Sequence, residues 1–321
     1  MSAEAQARVH ALRDLVDAIA TEHDEADRAV AEGRNLGPVV EFRRLRVELG
    51  GWWPRGVTAM HAAPGVGKSA FVAQAVLHAE CPAILLTAEM GAMTVLRRLI
   101  ACESGDFLGR LRRGEASGQM IRAKATALAA AHPDMTIIDA SCAPCTTRQL
   151  SETIAAMRQR GEHVLLAVDS VHGVARSTWR GDDEYTAVSA AMEHLRAISE
   201  REKISTLVIC ERSRAAMTTG GLHASAGTRA PEYSADVLIG LDTDPARVAY
   251  PDMIDPVRVR LTLVKNREGR PGTTIDYAFQ GASMRFAELD APADDENARQ
   301  PERADVPANN LPTLEEYVHG L

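Results

Sequence analysis

Aromatic side chains are scarce in this chain: Phe, Trp and Tyr make up 4% of its 321 residues. A core must therefore be built mainly from Ala, Val, Ile and Leu, within an apolar fraction of 45%. Cysteine is sparse as well. The five cysteines, at positions 81, 102, 142, 145 and 210, are irregularly spaced, which excludes a secreted disulfide framework. Cys142-Ala-Pro-Cys145 is a lone CxxC, without the second pair or spaced histidines of a structural zinc site. Ordinary thiols are expected, with metal or redox chemistry the lesser alternative. No apolar run reaches the ~18 residues of a membrane span. The opening MSAEAQARVH has no apolar signal core. A soluble cytoplasmic protein with no membrane partner is expected.

An excess of positive charge is missing too. The formal net charge is -8. Residues 1–34 sum to -4 and residues 287–321 to -7, which leaves +3 for the middle. This balance argues against a basic, histone-like DNA binder. It leaves room for nucleic-acid contact through a few local Arg and Lys residues.

What is present is an alternation of apolar strands with helical segments. Strands are predicted at 57–61, 83–88, 135–139, 163–169, 205–210, 236–242, 257–265 and 273–279, with helices between the first five. Continuous apolar strands separated by helices predict an α/β fold with a central, mostly parallel sheet flanked by helices. NREGRPG reads as a hairpin-like turn between the last two strands, so the sheet should end in a C-terminal antiparallel β extension.

Two appendages flank this body of residues 35–286. In the helical segment 1–34, Val9, Leu12, Val16 and Ile19 share one helical stripe. That stripe packs either on its own domain or on a neighbouring subunit. The tail, 287–321, is acidic. Its first part, 287–310, reads as disordered. The closing LPTLEEYVHGL puts Leu311, Leu314, Val318 and Leu321 on one face of a short helix, which either docks on a protein partner or folds back on its own body.

The most specific local signal is AAPGVGKSAF, residues 62–71. A strand, then a glycine-rich turn with Lys-Ser, then an apolar helix is the setting of a phosphate-binding loop. Backbone N–H groups of the turn curl around phosphates, and the helix presents its N-terminus to the negative charge. The expected nucleotide-binding set is Ala63, Pro64, Gly65, Val66, Gly67, Lys68, Ser69 and Ala70. Lys68 reaches the β- and γ-phosphates, and the Ser69 hydroxyl ligates Mg²⁺. Ala62 stands where the general pattern has its first glycine. HVLLAVDS ends in Asp169, placed to hold the same Mg²⁺ through water. Hydrolysis also needs a carboxylate to activate the attacking water. Glu89 ends the strand that follows the loop's helix, and in a parallel sheet it would meet the phosphates beside Asp169.

Together these residues resemble the RecA-like P-loop core, and within it the ATPase domain of DnaB-type replicative helicases. AAPGVGKSAF, TAEMGAMTVLRRLIACESG, LLAVDSVHGV and LVKNREGRPGT carry the likeness. The resemblance implies ATP as the nucleotide, a homo-oligomeric ring, commonly a hexamer, and ATP sites between subunits. It implies that Glu89 is the catalytic base, and that Lys265 and Arg267, in KNREG, touch the neighbouring subunit's γ-phosphate.

Two stretches depart from the family. After STLVIC the family has a Gln that senses the γ-phosphate; here the sensor candidate is Glu211, a carboxylate that phosphate would repel unless it is paired or protonated. Residues 212–236 correspond to loops that grip single-stranded DNA in the family, yet the expected Arg-Glu-Ser-Gly is not recognisable. Arg212, Arg214 and Arg229 are the candidates for phosphate contact there. ARSTWRGDDE, residues 175–184, is a second loop candidate, with Arg176, Trp179 and Arg180. The leading expectation is a DNA-translocating ATPase. The alternatives are an ATP-dependent switch acting on a protein partner, and a recombinase-like filament former.

Overall fold

The computed structural model describes residues 10–178, 183–211, 234–243 and 257–289. Trp179, Arg180, Arg212, Arg214, Arg229 and the peptide 311–321 lie outside the described residues. A short 3-10 turn, Leu12–Leu15, leads into α1 (Val16–Ala31), and α2 (Arg43–Glu48) precedes the sheet. The alternating part begins with β1 (Gly56–Ala62), α3 (Lys68–Leu77) and β2 (Ala83–Thr87). It continues through α4 (Ala92–Ser104), α5 (Leu108–Arg113), α6 (Gly118–Ala131), β3 (Met135–Asp139), α7 (Thr147–Arg158) and β4 (Leu165–Asp169). Then come α8 (Val171–Thr178), α9 (Glu184–Glu202), β5 (Ser205–Glu211), β6 (Val237–Thr243), β7 (Val257–Asn266), β8 (Thr274–Gln280) and β9 (Arg285–Glu288).

The strands form one sheet in the order β3-β2-β4-β5-β1-β6-β7-β8-β9. From β3 to β6 every pairing is parallel; β7, β8 and β9 add on antiparallel. Burial explains the composition of the inner strands. All seven residues of β1 and all five of β4 are buried, because helices cover both faces. Successive side chains alternate between the two layers. Met60, Leu165 and Ala167 pack with α3 and α4, whereas Ala59, Leu166 and Val168 pack with α7, α8 and α9. Local signals start the outer helices. The hydroxyls of Ser117 and Thr146 and the carboxylate of Asp183 accept first-turn amides of α6, α7 and α9.

Five of the few aromatics, Phe42, Phe71, Tyr277, Phe279 and Phe286, gather in one cluster. Phe42 stacks on Phe71 with ring centroids 4.5 Å apart, and Phe279 stacks on Phe286 at 4.4 Å. Tyr277 meets Phe42, Phe71 and Phe286 edge-on. This cluster joins β8 and β9 to α3. Gln74 on α3 completes the junction, donating Nε2 to the Phe286 carbonyl at 3.0 Å and accepting the Phe286 amide at 2.8 Å.

Two sequence expectations are corrected, and one left open is narrowed. The strand β9 was not anticipated: four residues are too few to show a period, and its last two, Ala287 and Glu288, fall in the segment read as tail. The N-terminal stripe, expected to pack either on its own domain or on a neighbouring subunit, is left uncovered by the described residues. Leu12 is 84% exposed and Val16 and Ile19 are each 58% exposed, while Ala29 is the one buried residue of α1; Val9 lies outside the described residues. Arg176 belongs to α8 and not to a loop.

The five cysteines are free thiols. Among the described residues no cluster of His, Cys, Asp and Glu suits a metal ion. No helix is long and apolar enough to cross a membrane.

Candidate functional site

β1 ends at Ala62 and α3 begins at Lys68, so residues 63–67 make the turn. Gly67 precedes the helix at φ +108°, a left-handed conformation that disfavours a side chain. Space forbids one as well. A Cβ there would lie 2.8 Å from the Phe286 ring and 2.9 Å from the Phe279 ring. Gly65 also has positive φ, +83°, but faces open space. Val66 is buried in the core and pins the loop, leaving Pro64 and Gly65 exposed. No side chain caps the N-terminus of α3. Its first-turn amides lack helical acceptors, and they sit at the positive end of the helix dipole, which favours an anion.

Lys68 Nζ donates to the carbonyls of Ala62 at 2.7 Å and Ala63 at 3.0 Å. Burial lowers its pKa, opposed by the nearby carboxylates of Glu211, Asp169 and Glu89. Those three residues come from the carboxyl ends of β5, β4 and β2, so the parallel sheet gathers them around one lysine. The Ser69 and Asp169 side chains line the same small cavity. Asp169 is buried, which raises its pKa against the effects of Ser69, Arg98 and Lys68.

Glu89 projects from a turn shaped by Thr87. The Thr87 hydroxyl donates to the Met90 carbonyl at 2.8 Å and accepts the Met90 amide at 3.2 Å. The Asp139 carboxylate takes the Ala92 amide at 2.6 Å and so caps the start of α4. The Glu89 carboxylate accepts the Ser170 hydroxyl, and Arg176 Nη2 at 3.3 Å. Sequence reasoning missed Arg98 as a site residue, although it sits in the quoted TAEM motif. It also missed His172, whose Nδ1 accepts the Glu211 amide at 3.3 Å. The β1–β5 register sets Glu211 beside Ala62, so this residue stands at the loop edge.

Lys265 and Arg267 are not brought to the loop. Lys265 pairs with Leu238, at the amino end of β6, and donates Nζ to the Ala235 carbonyl at 2.6 Å. Arg267 donates to Asp236 at 2.9 Å, and Asp236 also accepts the Val57 amide at 3.0 Å. Both cations therefore sit at the amino edge of the parallel strands. With a rise of about 3.3 Å per residue, roughly 17 Å of β1 separates Val57 from Ala62.

One edge thus carries uncapped helix amides, a lysine, a hydroxyl–carboxylate pair and a further carboxylate. That donor set suits a metal-bound polyphosphate and an attacking water.

A family model for the DnaB-like helicase C-terminal domain matches residues 37–288. The Gene 65 protein of Mycobacterium phage D29 is 26% identical over 245 residues, covering 71% of this chain and 97% of its own. The Gene 65 protein of Mycobacterium phage L5 is 27% identical over 241 residues, covering 70% and 83%. A solved DnaB-like replicative helicase, described with its interactions with primase, superposes with a TM-score of 0.69 at 18% identity, over 88% of this chain and 68% of that one. A KaiC-like protein from Pyrococcus horikoshii superposes with a TM-score of 0.52 at 15% identity, over 80% and 99%. At such identities the structural likeness speaks for the fold, and the family match carries the assignment. The chain belongs to the DnaB-like helicase C-terminal domain family and is a RecA-like P-loop ATPase.

Proposed function

We propose that the chain is an ATP-hydrolysing motor of the DnaB type that assembles as a ring, commonly a hexamer, and moves on or unwinds DNA. The division of charged groups between the two edges of the sheet carries this reading. Lys68, Ser69, Asp169 and Glu89 gather at the carboxyl edge. Lys265 and Arg267 lie at the amino edge, out of reach of the same loop, which fits contact with a neighbour's. The exposed stripe of Leu12, Val16 and Ile19 supports a neighbour as well.

In this mechanism the turn and the first amides of α3, residues 63–70, hold the phosphates. Lys68 turns from the carbonyls of Ala62 and Ala63 to the β- and γ-phosphates. Ser69 and Asp169 would hold Mg²⁺, which would supply positive charge to offset that of the phosphates. Glu89 takes the proton of the attacking water. Arg267 and Lys265 of the adjacent subunit stabilise charge as the γ-phosphoryl group leaves, which couples turnover to subunit packing. Glu211 is the sensor candidate: its carboxylate acts on Lys68 through charge, and Arg212 or Arg214 could pair with it when Lys68 turns to the nucleotide. Single-stranded DNA is the expected track, gripped through Arg212, Arg214 and Arg229.

The test is steady-state ATPase activity with and without single-stranded DNA at low salt, paired with a strand-separation assay. Strong stimulation is expected. Turnover that ignores DNA, with no unwinding, would sink the motor reading. Glu211 in place of the family's Gln then favours the second reading, an ATP-dependent switch that captures a protein partner through residues 311–321.

A further inference from the structure

One face of α8 holds the carboxylate of Glu89. Ser170, Gly173 and Arg176 recur at three-residue spacing, so they line up on that face. The Ser170 hydroxyl donates to Glu89 Oε1 and itself accepts the Gly173 amide at 3.3 Å. Gly173 is bare where a side chain would collide: a Cβ would lie 2.9 Å from the Ala88 Cβ and 3.1 Å from the Glu89 Cγ. Arg176 Nη2 donates at 3.3 Å, again to Oε1. Among the described residues, Oε2 accepts no hydrogen bond. Glu89 and Arg176 line the same open groove of about 490 Å³, together with Ser141 and Ser177.

We infer that Arg176 is a positioning residue for ATP hydrolysis, which with Ser170 pins Oε1 of Glu89 so that Oε2 is the oxygen that takes the water's proton. The inference rests on Glu89 being the general base. The ion pair is half exposed on the Arg176 side, at 54%, so it adds little to fold stability. Its effect belongs in the rate. A catalytic group displaced by about 1 Å loses on the order of 10²-fold in turnover. Two bonds to a single oxygen fix the carboxylate plane, whereas Ser170 alone leaves it free to rotate about that bond. Among the described residues Arg176 also meets Glu184, at 4.0 Å and exposed, which offers it an alternative partner when Glu89 moves.

Single-turnover hydrolysis of radiolabelled ATP by the full chain tests this, with Arg176→Met, Arg176→Lys, Glu89→Gln and the double variant Glu89→Gln/Arg176→Met. Arg176→Met should slow turnover about 10- to 100-fold, while affinity for a fluorescent ATP analogue and the melting temperature stay unchanged. Arg176→Lys should recover part of the loss. In the Glu89→Gln background, Arg176→Met should change the residual rate less than about twofold, because it acts through the lost carboxylate. A rate for Arg176→Met equal to or above that of the unmodified protein, with Glu89→Gln inactive, overturns the inference alone. The full factor persisting in the Glu89→Gln background overturns it too, and assigns Arg176 an independent role. Wild-type turnover by Glu89→Gln sinks the general-base reading itself.

Discussion

Arg267 donates Nη1 to Asp236 Oδ1 at 2.9 Å, and its backbone amide donates to the Asp236 carbonyl at 3.1 Å. The cation assigned to a neighbouring site is thus parked on its own chain at the amino end of β1. The Arg267 side chain is 44% exposed, so its guanidinium is accessible to exchange Asp236 for a phosphate. Arg267→Ala should keep the fold, because Arg196 still pairs with Asp236 at 3.4 Å. Turnover should fall about 10³-fold or more, with nucleotide affinity unchanged. Mixing Arg267→Ala with Lys68→Ala protein should restore activity at intermediate ratios. Equal activity of Arg267→Ala and unmodified protein would remove the shared-site mechanism.

Lys68→Ala and Glu89→Gln should separate binding from chemistry. Lys68→Ala should lose nucleotide binding or turnover, read by a fluorescent ATP analogue and by phosphate release. Glu89→Gln should bind as before and hydrolyse about 10²- to 10⁴-fold more slowly. Chelation of Mg²⁺ by EDTA should stop turnover in the unmodified protein.

Gly67→Ala should fail on two counts, the positive φ and the collision with Phe279 and Phe286. Thermal unfolding should show a loss of about 1–3 kcal/mol, accompanied by weakened nucleotide binding. Phe286→Ala removes the ring that the loop leans on and should cost about 3–5 kcal/mol. Gly65→Ala meets nothing within 4 Å and pays only for its backbone angle, so its loss should be the smaller of the two glycine changes.

The thiols offer a check on the core. Burial pushes Cys81, Cys102 and Cys210 up to about 12. A raised thiol pKa means the proton stays on below that pH, and the thiolate is the reactive form. Alkylation of native protein at pH 8, mapped by mass spectrometry, should label exposed Cys142 and spare those three. Burial also raises Cys145, which should react more slowly than Cys142. Rapid labelling of Cys210 would mean that β5 is not buried as described.

The parallel core and the loop were legible because each rests on a short, contiguous pattern. AILLT and LLAVD are buried on both faces and look it, and APGVGKS is a local turn whose neighbours in sequence are its neighbours in space. The carboxylates Glu89 and Asp169 followed from strand ends. What was not legible depends on contacts between distant positions. Arg176 and Glu89 are 87 residues apart, and nothing in ARSTWRGDDE signals the pairing. The role of Phe286 in bracing Gly67 was hidden in a four-residue strand. The stripe of Leu12, Val16 and Ile19 has the same periodicity whether its partner is its own domain or another chain. Lys265 and Arg267 were singled out through family likeness, and their own bonds to Ala235 and Asp236 could not be read from KNREG.

The position of Asp236 has a mechanical consequence. One carboxylate ties Arg267, Arg196 and the Val57 amide of β1 together, and five residues further on the same strand ends at Ala62, where the phosphate loop begins. In a shared-site ring, each subunit then contains a stiff strut with a nucleotide contact at either end. A displacement of the loop on phosphate release would push along β1, through Asp236, onto the cation seated in the next site. The relay from one subunit to the next would need no moving hinge between them, only a strand too well buried to buckle.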